Sequence, residues 1–273
     1  MSKNRIGVIY PLKKLLEVGA GELISLGIEC VQLQCFESEY FSKENAEKVK
    51  QILGDKIVVS SIWAGWSGPQ SWDFEEGPHT LGLAPETYRS MRLKELMLGA
   101  DFTEQLGVEN MATHVGFIPE NPSTEAYKSL LGAIKFIANY CKEKNIHFNF
   151  ETGQETPTTL MRMITDTGND YVGINLDPAN LIMYGKGNPV DALDLFGSRV
   201  RGVHVKDGDY PTGSFYELGQ ERVVGEGSVN YPVFLPKLLK NGYTGDLYIE
   251  REISGEQQTK DIIKTIEYVK QML

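Results

Sequence analysis

The 273-residue chain has a formal net charge of -10, with 41% hydrophobic and 23% charged residues. This ordinary globular composition supplies a substantial core and excludes a disordered chain, while the acidity weighs against a partner held by phosphate charge, nucleic acid above all. Cys30, Cys35 and Cys141 form an odd set without a CxxC unit, which points to neither a disulfide framework nor a thiolate zinc site and suggests buried thiols in a reducing compartment.

The first apolar run is RIGVIY at 5–10; the surrounding MSKNRIGVIYPLKK reads as a first strand rather than a secretion signal. No apolar run approaches the roughly 20 residues of a membrane-spanning helix, so the expectation is a soluble, cytoplasmic protein without a membrane partner. Further runs follow at 28–34, 56–63, 108–115, 146–151, 171–177, 200–206 and 246–250. Each is short and rich in β-branched or aromatic residues, the composition of strands.

Between the runs lie helical stretches such as 87–107 and 126–145, whose apolar residues recur every three or four positions. Strands alternating with helices imply parallel pairing, and eight repetitions allow closure into a single-domain (β/α)8 TIM barrel spanning 1–273. An open doubly wound sheet is the alternative. PLKKLLEVGAGE after the first strand contains no dinucleotide fingerprint, and no phosphate-cradling GxxxxGK[ST] occurs.

Residues 64–83, AGWSGPQSWDFEEGPHTLGL, form an extended loop before a helix expected near Pro85. Trp63 and Trp66, with Trp72 and Phe74, offer aromatic cover for a sugar face. The same aromatics would suit a loop simply packed onto the barrel.

In such a barrel the reacting groups stand at the carboxyl ends of the strands. His114 closes the fourth strand, Glu151 the fifth and Asp177 the sixth; His204 lies near the end of the seventh, and Glu250 ends the eighth. A terminal carboxylate alone often caps a helix, and a lone histidine is commonly structural. Glu151, Asp177, His204 and Glu250 nevertheless end four successive strands, and together suit one divalent metal ion: Mn2+ first, with Mg2+, Co2+ or Zn2+ as alternatives. Beyond them, Lys206 and Asp207 are positioned to orient substrate or ligand, or to form an ion pair at the rim. Arg222 and Arg251 are weaker candidates for a phosphate contact, and Glu226 in VGEGSVNY reads as a turn or oligomer residue.

FNFETGQET around Glu151, NLDPANLIMYG around Asp177, RGVHVKDGD around His204, VGEGSVNYPVFLPKL after strand seven and YIERE around Glu250 occur in barrel order. In these motifs nearly the whole chain resembles the xylose-isomerase-like barrel superfamily, particularly its sugar phosphate isomerase/epimerase group. The resemblance implies a metal-dependent sugar or sugar-phosphate isomerase or epimerase working through an enediolate. It also implies an acid/base pair in Glu151 and Glu250, and a homodimer or homotetramer. By position Glu155 matches a glutamate that bonds a substrate hydroxyl. Asn180 stands where ketose 3-epimerases have a histidine and remains able to bind a hydroxyl, while their arginine after the seventh-strand histidine is not evident. His114 and Lys206 complete the expected substrate contacts. Competing expectations are an inosose-type dehydratase, a non-catalytic sugar-binding barrel and an apurinic endonuclease.

Overall fold

The computed structural model describes residues 4–214 and 216–273; the first three residues of the amino-terminal segment lie outside them. The strands are β1 (Ile6–Pro11), β2 (Cys30–Cys35), β3 (Val58–Ala64), β4 (Asn110–Thr113), β5 (His147–Glu151), β6 (Val172–Leu176) and β7 (Val200–Val205). A short pair, β8 (Asp207–Gly208) and β9 (Glu221–Arg222), precedes β10 (Leu247–Ile249). Eight of these close in the order β1-β10-β7-β6-β5-β4-β3-β2, with parallel pairing throughout. The fold is a TIM barrel, with β8 and β9 forming a separate antiparallel ribbon.

Every residue of β6 is buried, as expected for a strand covered by side chains inside and helices outside. The helix Glu125–Glu143 shows the complementary pattern: Tyr127, Leu130, Ile134, Ile137 and Cys141 are buried at intervals of three or four residues. Full burial of each such Leu or Ile contributes about 1.5–3 kcal/mol, which holds the helix against the barrel. Cys30, Cys35 and Cys141 are buried free thiols, and no helix among the described residues is long and apolar enough to cross a membrane.

All eight expected strands lie within two residues of their observed limits. The fourth is shorter, ending at Thr113, because the chain then turns under the extended loop. Gly82 and Gly116 make that crossing possible. Both have positive φ, and a Cβ on Gly82 would stand 2.2 Å from Val115 C, one on Gly116 2.1 Å from Leu81 O.

The loop contains a short helix, Gly77–Thr80, and leads into the helix Glu86–Leu106. It is pinned by Arg92, fully buried on that second helix. Arg92 Nη1 donates to Thr80 O and Gly82 O, each at 2.7 Å, Nη2 to Pro69 O at 3.0 Å and Nε to Ser67 O at 3.3 Å. Its guanidinium also stacks on Trp66 and Tyr88. A buried guanidinium is thus the anchor of the loop.

Candidate metal centre

Alternate side chains of a strand share one face, so a barrel interior is built in layers. Gln32 precedes Gln34 by two positions, Ser61 precedes Trp63, Asn149 precedes Glu151, Asn175 precedes Asp177, and His204 precedes Lys206. The later member of each pair stands nearer the carboxyl end of the barrel. Gln34, Trp63, Glu151 and Lys206 there line a cavity of about 340 Å³, together with Glu250, His114, Asn180 and the apolar side chains of Phe36, Trp72, Met183, Tyr184 and Leu218.

The four residues expected to bind metal meet at this mouth. Glu151, Asp177, His204 and Glu250 each offer one ligand atom, all within 4.8 Å of one another. His204 Nδ1 faces Glu250 Oε2 at 3.1 Å, Glu151 Oε1 at 3.3 Å and Asp177 Oδ2 at 3.8 Å. Asp177 divides its oxygens: Oδ1 accepts from Asn180 N and caps the helix Pro178–Met183, while Oδ2 turns into the cluster without a hydrogen-bond partner among the described residues. Capping and ligation, which compete as readings of the sequence, are compatible here because a carboxylate has two oxygens.

Each glutamate has its own donors. Trp63 Nε1 donates to Glu151 Oε2, while His114 Nε2 and Asn180 Nδ2 stand 3.2 and 3.4 Å from Glu151 Oε1. Burial works against the charged form, but His114 and His204 hold the carboxyl well below its usual range. Glu250 is opposed by burial and held down by Lys206 and His204, to about 2. Lys206 is itself buried, with Nζ 3.1 Å from Glu252, 3.2 Å from Glu250 and 3.6 Å from Asp177.

These residues fit a divalent cation. Three buried carboxylates gathered around one imidazole repel one another, and Lys206 neutralises only part of their charge. His204 Nδ1 and Asp177 Oδ2 are buried and unsatisfied by hydrogen bonds among the described residues, as two ligand atoms without their ion would be. Three hard oxygens with one nitrogen are a donor set suited to such a cation.

Other expected contacts fall differently. Trp66 does not line the cavity: it packs behind Trp63, with ring centroids 6.0 Å apart, because Arg92 draws it into the loop core. Trp72 takes the place at the cavity wall, its ring 5.1 Å from His114. Glu155 is buried beside the cavity rather than on its wall, with both carboxylate oxygens unpartnered among the described residues; burial pushes its carboxyl up to about 8.

Asp207 turns away from substrate space. It accepts backbone N–H groups from Gly208, Gly225, Gly227 and Val229, so it holds the VGEGSV turn in place. Neither arginine lines the cavity: Arg251 is engaged by Glu221 and Asp261, and Arg222 by Asp209. Glu226 pairs with Lys264 beside the turn.

Sequence reasoning did not single out Gln32, Asn175 or Glu252. The first two lie beneath the ligands and the third lines the cavity. The available signal was period two: polar Gln32, Asn149 and Asn175 occupy interior strand positions two residues before the mouth, where an apolar side chain is the usual filling.

Residues 21–272 match the family described as xylose isomerase-like TIM barrel, and the chain belongs to that family. A xylose isomerase domain protein from Planctomyces limnophilus has 29% identity and a TM-score of 0.90, with 99% of this chain and 96% of that one covered. D-allulose 3-epimerase from Methylomonas sp., solved with D-allulose, shares the fold at 13% identity and a TM-score of 0.72, over 99% and 98% of the two chains. Inosose dehydratase of Clostridium tetani is 26% identical over 143 residues, 47% of this chain and 48% of the dehydratase. Sugar epimerases thus share this fold, an inosose dehydratase shares part of the sequence, and this member of the family carries a candidate metal site.

Proposed function

We propose that the chain is a divalent-metal-dependent isomerase or epimerase of a sugar or sugar phosphate, with Glu151 and Glu250 as its acid/base pair. The observation that carries this reading is the joint position of the two glutamates, which line one cavity on either side of His204 Nδ1, at 3.3 and 3.1 Å. Glu151, Asp177, His204 and Glu250 would hold the ion. When bound, a divalent cation there polarises a substrate carbonyl and its neighbouring hydroxyl, making the adjacent carbon more acidic.

The remaining steps belong to the side chains. One glutamate removes the proton beside the carbonyl, and the other passes a proton from its hydrogen-bearing neighbour to the opposite face and inverts the centre. Delivery to the adjacent carbon gives aldose–ketose isomerisation instead. Lys206, 3.2 Å from Glu250, is the hydrogen-bearing neighbour of one member, and His114, 3.2 Å from Glu151, of the other. Trp63, Trp72 and Phe36 present apolar faces that exclude water and stack on the C–H face of a sugar ring, while Asn180 supplies an amide for a hydroxyl.

The inosose dehydratase similarity supports a second reading, in which removal of the same proton is followed by loss of a β-hydroxyl. Both are tested by incubating free ketoses, ketose phosphates and inososes in deuterated water with Mn2+, Mg2+, Co2+ or chelator. Metal-dependent deuterium incorporation beside a carbonyl is expected, and retention or loss of water in the product separates isomerase or epimerase from dehydratase. Absence of exchange across the panel, in protein that binds the metal, would sink both.

A further inference from the structure

We infer that Gln32 is a positioning residue for the metal centre: its side-chain carbonyl takes the Nε2–H of His204 and so aims the Nδ1 lone pair at the three carboxylates. The inference rests on the metal reading of that site. Gln32 comes from β2, 172 positions before His204, and is fully buried. Its Oε1 lies 2.6 Å from His204 Nε2, while its Nε2 donates to Ser61 Oγ at 3.0 Å and Asn175 Oδ1 at 3.1 Å. The amide is therefore held from behind by two acceptors.

Which imidazole nitrogen carries the proton is set by the hydrogen bond the ring makes. A carbonyl oxygen accepts only, so its close approach requires hydrogen on Nε2. Asn175 Nδ2, 3.0 Å from the same nitrogen, makes the opposite demand. The two cannot both be met, and the shorter contact decides for Gln32. The alternative would leave the Gln32 carbonyl against a bare lone pair at 2.6 Å and place a proton on Nδ1, blocking ligation. A deprotonated Nδ1 among Glu151, Asp177 and Glu250 is what a cation requires.

The test compares wild type, Gln32→Leu and Gln32→Glu by Mn2+ calorimetry. The protonation of His204 is followed in parallel by nitrogen–proton correlation NMR of the Mg2+-bound proteins. Wild type should carry hydrogen on Nε2 of His204. Gln32→Leu should bind Mn2+ about 10–100-fold more weakly, the usual loss when such an orienting partner is removed, and lose the single tautomer. Gln32→Glu retains the acceptor facing His204 but loses the donor to Ser61 and Asn175, so it should keep hydrogen on Nε2 of His204 and bind Mn2+ more tightly than Gln32→Leu.

Equal Mn2+ affinity in Gln32→Leu and wild type would overturn the role of Gln32 and leave the metal centre standing. A wild type that binds no Mn2+, with His204 signals unmoved by Mg2+, would overturn both. If Gln32→Leu does not fold, the His204 tautomer in wild type and Gln32→Glu decides: hydrogen on Nδ1 in the Mg2+-bound protein refutes the inference.

Discussion

Lys206 Nζ stands 3.2 Å from Glu250 Oε2, and so places a buried ammonium directly against one of the two glutamates proposed to move protons. The same ammonium reaches Glu252 at 3.1 Å. It links the ligand cluster to a carboxylate at the outer edge of the cavity.

Replacing Lys206 with Met keeps the aliphatic length and removes the charge. Glu250 then loses its paired hydrogen donor, and general acid/base steps of this kind are worth about 10²–10⁴-fold. We expect kcat to fall at least about 100-fold while Mn2+ still binds, since Lys206 is not a ligand. Steady-state kinetics with calorimetry checks both halves, and wild-type kcat would remove Lys206 from the proton path.

Glu151→Gln and Glu250→Gln should each abolish turnover, because an amide can neither take nor return the substrate proton. Single-turnover deuterium exchange is the sharper measurement, since a variant defective only in product release would still exchange. Near-normal exchange in either variant would remove that residue from the acid/base pair.

Glu155 governs a pH response of opposite sign to that of a salt-bridged carboxylate. Burial raises its folded value to about 8, against about 4.3 in an unfolded chain, so between these limits the folded state holds the extra proton. Stability is fully present below the unfolded value and is lost as pH rises through about 8. Glu155→Gln mimics the protonated form. In chelator-treated protein it should unfold at a higher temperature than wild type at pH 9 and nearly the same temperature at pH 4.5, with about 2–4 °C for each kcal/mol recovered. An equal difference at both pH values would show that this carboxyl does not titrate in the folded state.

Arg92→Met should loosen the extended loop without touching the metal ligands. Four backbone carbonyls lose their charged donor, and breaking such a buried polar set costs about 3–5 kcal/mol. Thermal unfolding should show the loss, and limited proteolysis should cut within 65–83. Because Trp72 rides on that loop and lines the cavity, KM should rise more than kcat falls. A loop as resistant to protease as wild type would show that Glu95, which bonds Ser67 N at 3.0 Å and Ser67 Oγ at 2.5 Å, suffices as its anchor.

The barrel and its four candidate ligands were legible in the chain because both are written in local pattern. Apolar spacing changes from strand to helix eight times, and Glu151, Asp177, His204 and Glu250 stand where strands end. Closure of the barrel converts those ends into one place, so sequence position alone carries the cluster. Neighbours across the barrel carry no such mark. Gln32 reaches His204 over 172 residues; Asp207 serves backbone amides 18 to 22 residues away; and Trp66 and Trp72, alike in the sequence, divide between loop core and cavity wall because Arg92 stacks on the first. Periodicity reports which face of an element is apolar, whereas hydrogen-bond partners depend on the angle and depth at which separate elements meet, and only the tertiary structure decided those.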